Sequence, residues 1–217
     1  MAKFTGIGRQ SSRNSSVSGW GLAGSWLSLC LPFLRRGAAM QRPVLIVPGI
    51  GNSGPQHWQS LWQQAEPGWR RLRVADWEQV QAGDWLAALE CEVAELGAGV
   101  VLVAHSLGCL AVAQWAAQSE LAAGIAGALL VAPPDPQGEA FPAQQAQGFL
   151  PAHGPLPFPA LVLASSDDPY ASIEKARDMA RAWAAELLEL GPLGHLNAAS
   201  GLGEWPQGRA LLSRFGA

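Results

Sequence analysis

Short apolar runs recur along this chain, each followed by room for a helix. They are Val44–Val47, Val100–Ala104, Gly127–Ala132 and Ala160–Ala164, with Trp69–Val74 and Leu187–Leu190 as two further strand candidates. Runs of this length, rich in branched residues and bounded by Pro, Gly or polar residues, read as buried strands. Segments with helical character lie between them. His57–Ala65 follows a Gly-rich loop, and an Ala-rich segment spans Leu107–Gln118. Asp84 is expected to cap a helix with Leu86, Leu89, Val93 and Leu96 on one face, stopped by Gly97. Ser172–Ala185 places Ile173, Ala176, Met179, Ala180 and Trp183 inward, and Leu202–Phe215 reads as a closing helix. This alternation predicts an α/β fold: a mostly parallel sheet of about six strands with helices on both faces. Residues 133–159 break the rhythm with eight prolines, and a loop that long in a compact domain is often functional.

Size and charge narrow the function. A chain of 217 residues suits one domain, which at this size needs no metal or disulfide staple. The three cysteines, Cys30, Cys91 and Cys109, are an odd number and do not suit a disulfide scaffold. The four histidines, His57, His105, His153 and His195, show no zinc-site spacing, so no metal is expected. A net charge of −3 argues against a nucleic-acid partner. That charge is uneven: residues 1–40 carry five basic side chains and no acid, while residues 41–217 sum to −8.

The first 39 residues read as a disordered leader, and 40–217 as the folded domain. The leader is Ser-rich and acid-free, and its apolar run Trp20–Leu34 is too short and too rich in Gly and Pro to span a membrane. It fits a transit peptide better than a signal peptide, whose charges precede the apolar run. The favoured reading is an over-extended start with Met40 as initiator, because the first strand follows within four residues. A cytoplasmic monomer or weak homodimer is expected, with organellar or export targeting the competing reading.

The chemistry centres on Ala104-His105-Ser106-Leu107-Gly108, directly after an apolar run. This is G-x-S-x-G with Ala for the first Gly, the pattern of a nucleophile elbow. A serine needs a base and a group to orient that base. Ser165-Ser166-Asp167-Asp168-Pro169 follows the fifth strand, and Gly194-His195 follows the sixth. The order Ser, Asp, His is that of α/β hydrolases, and all three fall past strand C-termini. Ser106 is thus the expected nucleophile, His195 the base and Asp168 the orienting acid. Asp168 is preferred to Asp167 because Pro169 holds it extended. His195 must be neutral to accept a proton, so activity is expected to fall in acid. The expected oxyanion donors are the Leu107 and Ile50 N–H groups. His57 and Trp58 are candidates to line the pocket, against helix packing for His57 and core for Trp58 and Trp62. His105 is expected to be structural.

The stretches Val44–Trp58, Val101–Ala111, Ala164–Tyr170 and Gly194-His195 make the chain similar to the small single-domain serine hydrolases of the α/β-hydrolase superfamily, the group of retinoblastoma-binding protein nine and bacterial YdeN. The resemblance covers nearly all of residues 42–215. It implies an α/β-hydrolase fold without a large cap domain and with Ser106, Asp168 and His195 as triad, favours Asp168 over Asp167, and has no counterpart for the leader. A retinoblastoma-pocket ligand needs L-x-C-x-E, and Leu89-Glu-Cys91-Glu-Val93 ends in Val, so that partner is not expected.

The expected function is serine hydrolysis of small carboxylic esters, with thioesters or amides as variants and no cofactor. The substrate is then a small acyl ester. A non-catalytic interaction module on the same scaffold is the first alternative. The second is a dinucleotide-binding oxidoreductase, since Gly49, Gly51 and Gly54 spell G-x-G-x-x-G after a strand. Pro55 argues against it, because a dinucleotide-binding helix should already be running there.

Overall fold

The computed structural model describes residues 42–151 and 154–217. The leader, Cys30, Met40 and His153, with the expectations placed on them, lie outside the described residues.

Among the described residues, eight strands and five α-helices follow in chain order. The strands are β1 (Val44–Val47), β2 (Arg70–Arg71), β3 (Val80–Gln81), β4 (Val101–His105), β5 (Gly127–Val131), β6 (Ala146–Gln147), β7 (Ala160–Ala164) and β8 (Glu186–Glu189). The helices are α1 (Trp58–Ala65), α2 (Ala82–Leu96), α3 (Leu107–Ala116), α4 (Ile173–Ala182) and α5 (Pro206–Ala210). Six strands form one parallel sheet in the order β2-β1-β4-β5-β7-β8.

Period-two alternation sends side chains to both faces of that sheet. Leu45, Leu102, Leu130 and Val162 join one core with Trp85 and Leu89 of α2, Leu110 of α3 and Met179 of α4. Val44, Val103, Leu129 and Leu163 join a second core with Trp58 and Trp62 of α1 and the C-terminal Trp205, Leu212 and Phe215. Both faces of β1, β4, β5 and β7 are covered, which is why these four strands are apolar over almost their whole length. Among the described residues, no helix is long and apolar enough to cross a membrane.

β1 lies between β2 and β4, so the chain leaves β1 toward one side and returns after β2 on the other. The crevice beyond the C-terminal ends of β1 and β4 is therefore a topological switch point, where open α/β sheets hold their ligands.

Several elements differ from the sequence expectation. The ladder in Trp69–Val74 is only Arg70–Arg71 at the sheet edge, where Arg70 and Arg73 turn to pair with Glu92. α2 starts at Ala82 with Gln81 as N-cap. Asp84 is thus not the cap; it sits in the first turn, where its charge favours the positive end of the helix dipole. The buried stripe of α2 is Ala82, Trp85, Leu89, Glu92 and Val93, leaving Leu86 and Leu96 half-buried. The closing helix begins four residues later than Leu202, because Trp205 holds a φ of 41° and Pro206 then supplies the helical start. The Pro-rich loop is tied down midway, where β6 pairs in parallel with β3.

Candidate active site

β4 ends at His105 and α3 begins at Leu107, so Ser106 alone makes the turn. Its φ of 52° and ψ of −123° are unfavourable for a residue with a Cβ, a strain worth about 1–3 kcal/mol. Backbone bonds hold it there: Ser106 N–H donates to the Val131 carbonyl at 2.9 Å, and Cys109 N–H donates to the Ser106 carbonyl at 2.9 Å. Two glycines let neighbours close in. A Cβ on Gly108 would come within 2.6 Å of the Pro48 carbonyl oxygen, and one on Gly49 within 2.9 Å of Ser106 Cβ. Ala104 is fully buried, so the methyl that replaces glycine in the motif fits.

Three loops bring the chemistry-bearing groups together. Nε2 of His195 lies 2.7 Å from the Ser106 hydroxyl oxygen. Nδ1 of the same ring lies 2.8 Å and 2.9 Å from the two carboxylate oxygens of Asp168. Both the imidazole and the carboxylate are almost wholly buried. Asp168 also accepts the Tyr170 N–H at 2.9 Å, and the Tyr170 ring sits 4.4 Å from the His195 ring.

Asp167 faces elsewhere. Its carboxylate accepts the Ser165 hydroxyl at 2.7 Å and the Gly194 N–H at 2.7 Å, and those two bonds hold its pKa below the usual carboxylate value. Ser165 also accepts the Leu193 N–H at 2.8 Å. The His195 loop is further closed by Asn197 and Ser200, which form a reciprocal capping box. His105, expected to be structural, bonds the His195 carbonyl through Nε2 at 2.9 Å and also lines the cavity above Ser106. Burial, then the charges of His195 and His57, push the His105 pKa well below its ordinary value. The neutral ring is therefore the donor to that carbonyl.

The loop after β1 forms a one-turn 3₁₀ segment, Ile50–Asn52, with Gly51 at φ 76°. Leu107 opens α3 and Ile50 opens this turn, so neither N–H has an earlier carbonyl of its own helix to bond. Both residues line the cavity above Ser106. Two side chains that the sequence did not single out anchor the loop. Gln59, fully buried, accepts the Ser53 hydroxyl at 2.7 Å and donates to the carbonyls of Val47 at 3.3 Å and Val103 at 3.0 Å. Arg71 donates to the Asn52 carbonyl at 2.9 Å and to its side chain at 3.1 Å.

The cavity holds about 470 Å³. Ile50 and Leu107 form part of its wall, and Pro134, Phe141 and Pro142 of the Pro-rich loop form another part. His57 also lines it. As N-cap of α1, His57 accepts the Gln59 N–H on Nδ1 at 3.2 Å. Burial, then the charges of Arg71 and His195, lower its pKa to about 4. Trp58 is not in the wall. It is buried against Trp62 and Trp205, and its indole N–H donates to the Leu196 carbonyl at 2.8 Å, bracing the His195 loop from below.

The glycine fingerprint has a different explanation from dinucleotide binding. Gly49 makes room for Ser106, Gly51 supplies a positive φ, and α1 starts only at Trp58, four residues past Gly54. Among the described residues, no group of three or more His, Cys, Asp or Glu could hold a metal.

The chain matches the serine hydrolase family over residues 44–214. Among solved structures it is similar to a Pectobacterium atrosepticum protein described as a YdeN-like hydrolase, at 36% identity and a TM-score of 0.70, covering 81% of this chain and 91% of that one. It is also similar to the ydeN gene product of B. subtilis, at 26% identity and a TM-score of 0.62, covering 81% and 98%. Est1E of Butyrivibrio proteoclasticus, solved with ferulic acid bound, shares the fold at 15% identity and a TM-score of 0.57, covering 82% and 91%. No curated protein matches the chain.

Proposed function

The chain belongs to the serine hydrolase family, and from that premise we propose that it hydrolyses small carboxylic esters through an acyl-enzyme formed on Ser106. The observation that carries this reading is the unbroken hydrogen-bond path from the Ser106 hydroxyl through His195 to Asp168, at 2.7 Å and 2.8 Å. His195 Nε2 takes the hydroxyl proton as Ser106 Oγ attacks the ester carbonyl. Asp168 keeps the other ring proton on Nδ1 and stabilises the imidazolium that forms. The tetrahedral oxygen receives the N–H groups of Leu107 and Ile50, with the dipole of α3 behind Leu107. His195 then returns its proton to the leaving alcohol, and water attacks the acyl-enzyme by the same steps.

The apolar wall of Ile50, Leu107, Phe141 and the two prolines suits a short hydrocarbon acyl group. A series of 4-nitrophenyl esters from acetyl to decanoyl tests the reading. Turnover of short-chain members is expected, with a loss of about 10³-fold or more in Ser106→Ala. Folded wild-type protein that turns over no ester in the series would refute it. Faster turnover of matched thioesters or amides would move the substrate class without changing the mechanism.

A further inference from the structure

His57 occupies the N-cap of α1, a position where Ser, Asp or Asn would satisfy the helix with a smaller side chain. Capping therefore does not account for an imidazole there. The ring has one nitrogen that capping uses and one that it does not. Nδ1 accepts the Gln59 N–H and so carries no proton. The ring is neutral at pH 7, since burial, Arg71 and His195 all disfavour its charged form. The proton is then on Nε2, which makes that atom a donor.

Nε2 is buried and has no hydrogen-bond partner. Among the described residues that line the cavity, His57 alone has such a side-chain nitrogen. The ring is held between Trp58, 5.1 Å away, and His105, 4.6 Å away. Flipping it would forfeit the capping bond. A buried donor left unbonded is unfavourable, and such groups call for a specific explanation. Here the ring lines the same cavity as Ser106 and His195. Among the described residues of that lining there is no Lys, Arg, Asp or Glu, so nothing in the wall pairs with a charged ligand group.

We infer that His57 Nε2–H donates a hydrogen bond to an uncharged oxygen of the substrate, separate from the scissile carbonyl. The substrate class is then a small ester with a second neutral acceptor, an ether, hydroxyl or carbonyl oxygen, close to the bond that breaks. This rests on the ester-hydrolase reading above. His57 is a binding residue in it and moves no proton.

Matched pairs test it. On the acyl side, 4-nitrophenyl methoxyacetate differs from 4-nitrophenyl butyrate by one oxygen for one methylene. On the alcohol side, 2-methoxyethyl butyrate differs from butyl butyrate in the same way. His57→Asn keeps a helix cap and removes the Nε2 donor, and His57→Ser is a second variant that does the same. His57→Gln restores an N–H near the original position. Wild type is expected to favour the oxygen-bearing member of one pair in kcat/KM. The Asn and Ser variants should erase about tenfold of that preference, and Gln should recover part of it. Fluorophosphonate labelling of Ser106 serves as the check that each variant is folded and keeps a reactive nucleophile. Equal losses on both members of each pair, or no loss, with Ser106 still labelled, would overturn the inference while leaving the hydrolase reading intact. Wild type that neither labels nor turns over ester would overturn both.

Discussion

Asp167 and Asp168 are adjacent in the chain, yet their carboxylates serve different atoms. Asp168 holds Nδ1 of His195 at 2.8 Å, while Asp167 accepts the Gly194 N–H at 2.7 Å. One orients the ring, and the other ties down the loop that carries it. Asp168→Asn should therefore cost on the order of 10³–10⁴ in kcat, because an amide at that place favours the wrong imidazole tautomer. Asp167→Asn should cost roughly tenfold in kcat and lower Tm, since it weakens a loop anchor and leaves the ring's partner in place. Steady-state kinetics and thermal melts of both variants check this. Equal losses of kcat would show that the two carboxylates share one role.

Stability should fall as the pH drops from about 6.5 to about 4, and His57 should account for part of the fall. Its folded pKa is about 4 against an ordinary 6.5. Above 6.5 both the folded and unfolded rings are neutral, so the group adds no pH dependence. Below 6.5 the unfolded chain takes up a proton that the folded ring refuses, which favours unfolding by up to about 3 kcal/mol at pH 4. His105 is shifted in the same direction and adds to the trend. Urea melts across this range should give a shallower pH slope for His57→Asn than for wild type. Parallel slopes would contradict the neutral buried ring.

Gln59 links the end of β1 and the middle of β4 to the loop that carries Ile50. Gln59→Leu keeps the approximate volume but strands the Ser53 hydroxyl and removes both donations to strand carbonyls. The expected cost is about 2–4 kcal/mol of stability. A loss of about tenfold or more in kcat, with little change in KM, should accompany it if the Ile50 N–H serves the transition state. Denaturant unfolding and kinetics read the two effects separately. A stability change under about 0.5 kcal/mol would show that the buried amide is not an anchor.

The parts legible in the sequence were those with a strong local cause. β1 and β7 have the bounds expected from their apolar runs, because Pro43 and Pro48 flank β1, Pro159 precedes β7, and both strands are buried along their length. The placement of Ser106, Asp168 and His195 past the C-terminal ends of β4, β7 and β8 was readable because a parallel sheet puts every strand terminus on one side. The missed parts depend on partners distant in sequence. Nothing local to Trp58 reveals that its indole N–H reaches the Leu196 carbonyl, 138 residues away. β3 and β6 have two residues each, too few to show a period. Trp205 adopts its positive φ against its own preference, and that delayed the last helix. Asn197-Ala-Ala-Ser200 is a miss of another kind, since Asn followed three residues later by a hydroxyl resembles a capping box and was readable as the stop of the His195 loop.

Activation of Ser106 by His195 is read out by intact-mass and peptide analysis after treatment with a fluorophosphonate. One adduct per chain is expected, on the peptide holding Ser106, absent in Ser106→Ala and slowed by orders of magnitude in a His195→Ala variant that stays folded. Folded wild-type protein with no adduct, or an adduct that persists in Ser106→Ala, would contradict it.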